Sequence, residues 1–388
     1  MPVVNFGEAL PRTAVSIGYA RAVTDQDMNI SYLTLFQFTK DGKYLFVSRT
    51  TTKYPIPLTS ILYLDGHFRA WDLTTGECSI SLQTKIHATA YSYGSALSVS
   101  PDEHWIVSVR DSNVTIITLN TFSVTRELAL TGLVYNVAVS PDSKFLLVLY
   151  FETCETPNSA GGWAAHEHQE FLLSKFSTDS GDQLVSIRPP IITWGILAVS
   201  SDAKFVFLRT LEGRSEGAWA ILTDTGESLY EFSLPWGASH TSLTQNDSIL
   251  ASYDGGSLTL RDALTGLLLR RLRLNSGFPP AARFDFDANT REVHTNLGTL
   301  ALHEGFKNIA PQIRLDEHLT GYGISCDGSW LLWKHHKVFW LWPDLRPRDN
   351  YTKPADYIQV SGSTAIIGTV TGCVLFFKFD VHNLLEAK

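Results

Sequence analysis

Cysteine is scarce and scattered: Cys78, Cys154, Cys326 and Cys373 are the four in 388 residues, and none are in Cys-x-x-Cys spacing. That argues against a disulfide framework or a thiolate zinc site and fits a reducing compartment. No apolar run reaches the roughly 18 residues of a membrane-spanning helix. Met1-Pro2-Val3-Val4-Asn5-Phe6 has neither a basic stretch nor an apolar one, so no secretory signal is visible. The expectation is a soluble cytoplasmic protein, with the sequons at Asn29, Asn113, Asn246 and Asn350 arising by chance. Charge is sparse too. Only 18% of residues are charged, the net charge is −8 and the pI about 5.8. An acidic surface repels phosphate backbones, so no nucleic-acid partner is expected, and Arg270-Arg271-Leu272-Arg273 reads as a solvated strand face.

Catalytic signatures are missing as well. The chain has no Gly-x-x-x-x-Gly-Lys-Ser/Thr loop, no Gly-x-Ser-x-Gly elbow, no His-Glu-x-x-His and no EF-hand loop. Neither a cofactor nor a metal is expected. What is abundant is apolar material: 44% hydrophobic and 12% aromatic residues are enough for one large core spanning residues 1–388.

That material is arranged in a repeat. A short apolar run, a Ser/Asp turn and a second run appear as Leu35-Phe36-Gln37-Phe38-Thr39-Lys40-Asp41-Gly42. The phrase returns as Leu97-Ser98-Val99-Ser100-Pro101-Asp102, Val137-Ala138-Val139-Ser140-Pro141-Asp142 and Leu197-Ala198-Val199-Ser200-Ser201-Asp202. Weaker copies begin near Ser242, Phe284, Gly323 and Ile358. Each reads as a β-hairpin with apolar residues at alternate positions. A third strand follows most hairpins and ends in Thr-Gly, as in Trp71-Asp72-Leu73-Thr74-Thr75-Gly76, Thr223-Asp224-Thr225-Gly226 and Leu264-Thr265-Gly266. A fourth runs through segments such as Ser123 to Leu130 and Leu267 to Leu274.

Four short strands per unit is the blade of a β-propeller. The expected fold is all-β, a single closed propeller of four-stranded antiparallel blades. Eight units favour eight blades; seven result if the weak unit near residue 286 merges with a neighbour. The run Thr13 to Val23 is free to join the last strand, Cys373 to Phe379, so that both termini close the ring and leave no open edge.

In such a meander the one-to-two and three-to-four turns lie on one face. The two-to-three turns and inter-blade links lie on the other. The first set reads as uniformly short. The second takes the long loops Thr50–Gly66, Phe151–Gln169, Leu211–Gly217, Leu234–His240, Asn275–Ala281, His303–His318 and Asp344–Asp356. Long loops on a rigid scaffold concentrate function. The aromatic and titratable residues Tyr54, Trp163, His166, His168, Trp194, Trp236, His240 and Phe278 are therefore the candidate binding residues, although each could instead simply roof the channel.

Other pairs carry less. His166-Glu167-His168 would aim two imidazoles to one side but lacks a third ligand, and His335-His336 would splay them. Asp285 and Asp287 share one face of an inner strand and could form an acid–base pair, but turn-capping is their simpler role. Trp71, Trp219 and Trp340 on third strands are expected in the core, and Trp330 and Trp333 can be read the same way.

The repeat with its Trp71-Asp72 resembles WD40 in degenerate form, and Gly66-His67 is not at the place where such repeats open. More specifically, Gly321-Tyr322-Gly323-Ile324-Ser325, Asp327-Gly328-Ser329-Trp330, Phe339-Trp340-Leu341-Trp342-Pro343, Arg346-Pro347, Val360-Ser361-Gly362-Ser363, Ile367-Gly368 and Gly372 resemble the C-terminal propeller of fungal NACHT–WD40 (NLR-like) proteins. That resemblance implies a fungal origin and a sensing or partner-binding module without the nucleotide-binding half. The expected function is docking of a protein or peptide on the long-loop face. The alternative is an apolar small molecule on that face, bound by a cofactor-independent cyclase of natural-product metabolism, such as a Diels–Alder pericyclase.

Overall fold

The computed structural model describes residues 15–20, 31–38, 44–51, 63–72, 78–83, 97–110, 112–121, 123–153, 169–189, 193–212, 215–234, 240–243, 247–253, 257–273, 284–287, 292–295, 298–301, 319–325, 328–334, 336–343, 346, 358–361, 364–368 and 374–379. Side chains are described mainly within 98–152, 170–234, 241–271 and 320–346. None of the described residues lies in a helix long and apolar enough to cross a membrane.

Strand β1 (Val15–Ala20) precedes the first meander. The first sheet is β2 (Ser31–Phe38), β3 (Tyr44–Thr51), β4 (Tyr63–Asp72) and β5 (Cys78–Gln83). The second is β6 (Leu97–Val99), β7 (Trp105–Arg110), β8 (Asn113–Thr118) and β9 (Ser123–Ala129). The third is β10 (Leu133–Val139), β11 (Phe145–Thr153), β12 (Gln169–Ser177) and β13 (Gln183–Ile187). The fourth is β14 (Thr193–Val199), β15 (Phe205–Glu212), β16 (Ser215–Leu222) and β17 (Ser228–Leu234). The fifth is β18 (His240–Leu243), β19 (Ile249–Tyr253), β20 (Ser257–Asp262) and β21 (Leu268–Arg273). The sixth is β22 (Phe284–Asp287), β23 (Glu292–Thr295), β24 (Gly298–Ala301) and β25 (Leu319–Thr320). The seventh has β26 (Tyr322–Ile324), β27 (Trp330–Trp333) and β28 (His336–Trp340). The eighth has β29 (Ile358–Ser361), β30 (Thr364–Gly368) and β31 (Val374–Phe379). In that last sheet β1 takes the fourth place, antiparallel to β31 from Val15↔Phe379 to Ala20↔Val374. The segment near residue 286 thus builds a sheet of its own.

Among the described residues, then, eight antiparallel sheets follow chain order, seven of four strands and one of three. First strands of successive sheets lie side by side: β6 with β10, β10 with β14, β14 with β18, and β18 with β22. The core consists of slabs between neighbouring sheets. Leu146, Val148 and Tyr150 of β11 pack towards the second sheet, while Leu147, Leu149 and Phe151 pack towards the fourth. Both faces of a second strand are covered, so β11 and the heart of β15 (Val206, Phe207, Leu208) are continuous apolar runs instead of the alternating pattern expected from the sequence. Each such buried side chain stabilises the fold by about 1.5–3 kcal/mol.

The recurring Ser-x-Asp phrase is a turn device. The hydroxyls of Ser100, Ser140, Ser200 and Ser325 accept the N–H of Trp105, Phe145, Phe205 and Trp330 at 3.1, 2.9, 3.0 and 2.9 Å. Asp142 and Asp202 accept the N–H of Lys144 and Lys204 at 3.1 and 3.0 Å. The bonds satisfy turn amides locally and leave one residue, Ser143 or Ala203, at positive φ.

Fourth strands share a different device. In β5, β9, β13, β17 and β21 the pairing to the third strand slips near the start, leaving Ser79, Thr125, Leu184, Leu229 and Leu269 as the extra residues of bulges. A bulged edge is a poor template for another chain's strand.

Four expectations change. Leu234–His240 is not a long loop, because only 235–239 separate β17 from β18. Leu211–Gly217 is not a long loop: β15 and β16 pair as far as Glu212↔Ser215. The connection through His303–His318 joins a third strand, β24, to a fourth, β25, so it belongs to the other set of turns. Trp340 is 39% exposed rather than core, because its neighbour Phe339 turns inward in its place; Trp219 is half-buried against the slab between the third and fourth sheets.

Candidate functional site

The two sets of strand ends differ in their longest connections and not in all of them, since the links 188–192 and 235–239 between sheets span only five residues. At the one-to-two and three-to-four ends, connections such as 140–144, 178–182, 200–204 and 263–267 span five residues each, with 302–318 the exception. At the other ends the chain leaves β3, β5, β11 and β21 and re-enters β4, β6, β12 and β22 only after 52–62, 84–96, 154–168 and 274–283. Tyr54, Trp163, His166, His168, Trp236 and Phe278 lie outside the described residues. Trp194 and His240 are described as backbone positions, in β14 and at the first residue of β18. Asp285 and Asp287 lie on β22, a first strand, and His336 opens β28 with its side chain exposed.

Trp194 occupies a distinctive place. The pairing of β14 with β15 slips between Thr193 and Gly195, so Trp194 is the extra residue of a bulge. The same slip occurs between Val134 and Asn136 on β10 and between Leu33 and Leu35 on β2. Tyr135 is therefore the counterpart of Trp194. It is 6% exposed, with its ring edge-on to Phe171 at 5.7 Å. Gly195 has φ +149°, a conformation that side chains rarely adopt. Beside it, the Ile196 N–H donates to Asn136 Oδ1 at 3.4 Å, bridging the first strands of the third and fourth sheets. Bulges on first strands re-aim side chains, as they often do next to binding sites.

Two hydroxyls complete the picture. Thr193 Oγ1 and Thr241 Oγ1 are buried and have no hydrogen-bond partner among the described residues. Each sits at the start of its first strand, adjoining Trp194 or His240. A buried polar group without a partner costs roughly 1–3 kcal/mol, so a group brought there that supplies one gains affinity.

No protein-family model matches the chain, and no curated protein matches it. Among solved structures it resembles a chain of Kuenenia stuttgartiensis Hydrazine Synthase, 13% identical, with 92% of this chain and 99% of that one covered at a TM-score of 0.53. The likeness is one of fold. It places this chain among β-propeller-like all-β proteins, and so general a scaffold carries no activity with it.

The opposite strand ends are clamped shut from sheet to sheet. The Asp102 N–H donates to Ser143 Oγ at 3.0 Å, and the Ser201 N–H reaches both Asp247 carboxylate oxygens at 2.9 Å, with the Ser201 hydroxyl on the same carboxylate. Arg126 donates to the carbonyls of Asp179 and Ser180. Lys175, almost wholly buried and over the Phe145 ring, reaches Asp224 at 3.1 Å. The Tyr230 hydroxyl donates to the Ala263 carbonyl at 2.6 Å. Tyr135, Asn136 and Thr193 were not among the residues singled out from sequence. The one signal for them is broken alternation, at Val134-Tyr135-Asn136 and at the strand glycine Gly195.

Proposed function

We propose that the chain is a partner-binding propeller of eight blades whose long-connection face docks a protein or peptide. Ring closure is supported by β2, which touches both β6 and β29, by β26 against β29, and by β1 completing the sheet of β31. In a propeller all two-to-three and inter-blade connections share one face. The observation that carries the reading is the asymmetry of the strand ends: one set is clamped by short turns, and the other bears the long connections 52–62, 84–96, 154–168 and 274–283 together with Trp194, His240, Asn136 and two threonine hydroxyls without a partner among the described residues. Aromatic anchors beside unsatisfied polar groups suit a peptide, which supplies apolar side chains and backbone donors together. The resemblance of residues 321–372 to the propeller of fungal NACHT–WD40 proteins supports the same role, as a cytoplasmic module. A displayed peptide library selected on the purified chain tests it. The expected outcome is a binding consensus that Trp194→Ala and Trp236→Ala each weaken about tenfold or more. Failure to select peptides, with instead a metabolite retained in a screen and lost in the same variants, would favour the cyclase reading. An electron-microscopy class average without eight lobes would refute the ring.

A further inference from the structure

Three-to-four turns of successive sheets adopt one conformation, which makes each a control for the others. The N–H of Gly181, Gly226 and Gly266 donates to the carbonyl four residues earlier (Ser177, Leu222, Asp262) at 2.8, 2.9 and 2.9 Å, and all three glycines have φ between 71° and 79°. In the third and fourth sheets the exposed turn positions are polar: Asp179, Asp182 and Gln183, then Asp224, Glu227 and Ser228. In the fifth sheet the same three positions are Leu264, Leu267 and Leu268. They are 63%, 67% and 54% exposed, and Leu269, the bulge residue that follows, is 55% exposed. The backbone does not demand leucine at 264, 267 and 268, since the sister turns fold identically with polar residues there; at the bulge position the sisters, Leu184 and Leu229, are exposed leucines like Leu269. Leu229 of the fourth sheet, 39% exposed, precedes Tyr230, whose ring lies against Gly266 of this turn. A cluster of exposed leucines at one sheet end marks an interaction site.

The charges around the patch suggest what covers it. Arg270 and the exposed Arg271, whose Nε also donates to Ser257 Oγ at 3.1 Å, follow the leucines on β21 of the fifth sheet, whereas exposed Glu227 and Glu231 flank Leu229 in the fourth. Leucines bordered by arginines in one sheet and by glutamates in the next are self-complementary: a two-fold operation sets the basic sheet of one molecule against the acidic sheet of the other. A lipid surface would be met by the leucines and arginines but repelled by the glutamates and by the net charge of −8. We propose that Leu264, Leu267, Leu268 and Leu269, with Leu229, form the centre of a two-fold interface between two copies of this chain. Five leucines make a narrow centre beside the roughly 20–30 residues a side of a standard interface, so the dimer is weak, with a dissociation constant on the order of 10 µM.

Sedimentation equilibrium of the full chain provides the test. Leu264→Asp/Leu267→Glu/Leu268→Ser rewrites this turn as that of the fourth sheet. It should fold with unchanged circular dichroism and melting while dissociating at least about tenfold more readily. Arg270→Glu/Arg271→Glu and Glu227→Arg/Glu231→Arg should each weaken self-association, and an equimolar mixture of the two should restore it. A wild-type chain still monomeric at on the order of 200 µM overturns the proposal. So does a triple variant that dimerises like the wild type, or a mixture no tighter than its components. Co-sedimentation of the wild type but not the triple variant with phosphatidylcholine/phosphatidylserine vesicles assigns the patch to lipid and overturns it as well.

Discussion

Tyr230 lays its ring over Gly266 of the next sheet's turn and donates a hydrogen bond from its hydroxyl to the Ala263 carbonyl 2.6 Å away. Ile187 stands over Gly226 in the same manner, and Arg126 over Gly181. The fit is tightest at Gly266, where an added Cβ would fall 2.4 Å from Tyr230 Cδ2; at Gly226 the nearest approach is an ordinary 3.5 Å to Ile187. Both glycines have positive φ, so alanine costs about 1 kcal/mol at either from the backbone alone. We expect Gly226→Ala to stop near that figure and Gly266→Ala to lose about 3 kcal/mol or more, read from urea unfolding of the two variants.

The same tyrosine makes stability depend on alkaline pH. Burial, reinforced by the Asp262 carboxylate, raises the Tyr230 phenol well above its ordinary value of 10.0. The folded state therefore favours the protonated ring. Its contribution is complete below pH 10 and is lost as pH climbs from there towards the raised folded value. Tyr230→Phe should lower stability by about 1 kcal/mol at pH 8 through the missing hydrogen bond, and that deficit should shrink above pH 10. Thermal melts of both proteins between pH 8 and 11 measure the difference.

Asp247 joins the fourth and fifth sheets from a residue at φ +54°. Asp247→Gly loses the bonds to Ser201 but relaxes the backbone, while Asp247→Ala loses the bonds and keeps the left-handed conformation. Stability should fall in the order wild type, glycine, alanine, with the bonds worth about 2 kcal/mol and the last step about 1 kcal/mol. An alanine variant as stable as the wild type would show that the clamp contributes nothing.

On β28 adjacent aromatics have opposite fates. Phe339 is 8% exposed within the slab between the seventh and eighth sheets, 5.9 Å from Phe377. Trp340 is 39% exposed, with Arg346 5.1 Å above its ring and Trp342 at 6.3 Å. Phe339→Ala should cost about 3–5 kcal/mol and Trp340→Ala less than about 1 kcal/mol in denaturant titrations.

The repeat was legible in sequence because its turns are held by their own side chains. Ser140 and Asp142, or Ser200 and Asp202, satisfy the turn amides whatever surrounds them, so the phrase marks the hairpin. What depends on neighbours was harder to read. The runs Leu146–Tyr150 and Val206–Leu208 lose their alternation because sheets cover them on both sides, and Trp340 matched third-strand tryptophans while facing solvent. β25 is two residues long and has no sequence period, which is why 302–318 was assigned to the wrong set of connections. Of the candidate site, aromatic residues near the long connections could be picked out by type. The bulges that set Tyr135 and Trp194 in equivalent places arise from pairing with β11 and β15, which no local pattern encodes.

The partnership of β1 with β31 has a consequence for the order in which the molecule is made. Of the described strands, Val15–Ala20 leaves the ribosome first and Val374–Phe379 last. β1 must therefore wait for its neighbour while the sheets between them emerge and assemble. The last sheet can therefore be completed only once Val374–Phe379 has been made, and a chain truncated before Val374 would leave both β1 and β30 without their shared neighbour.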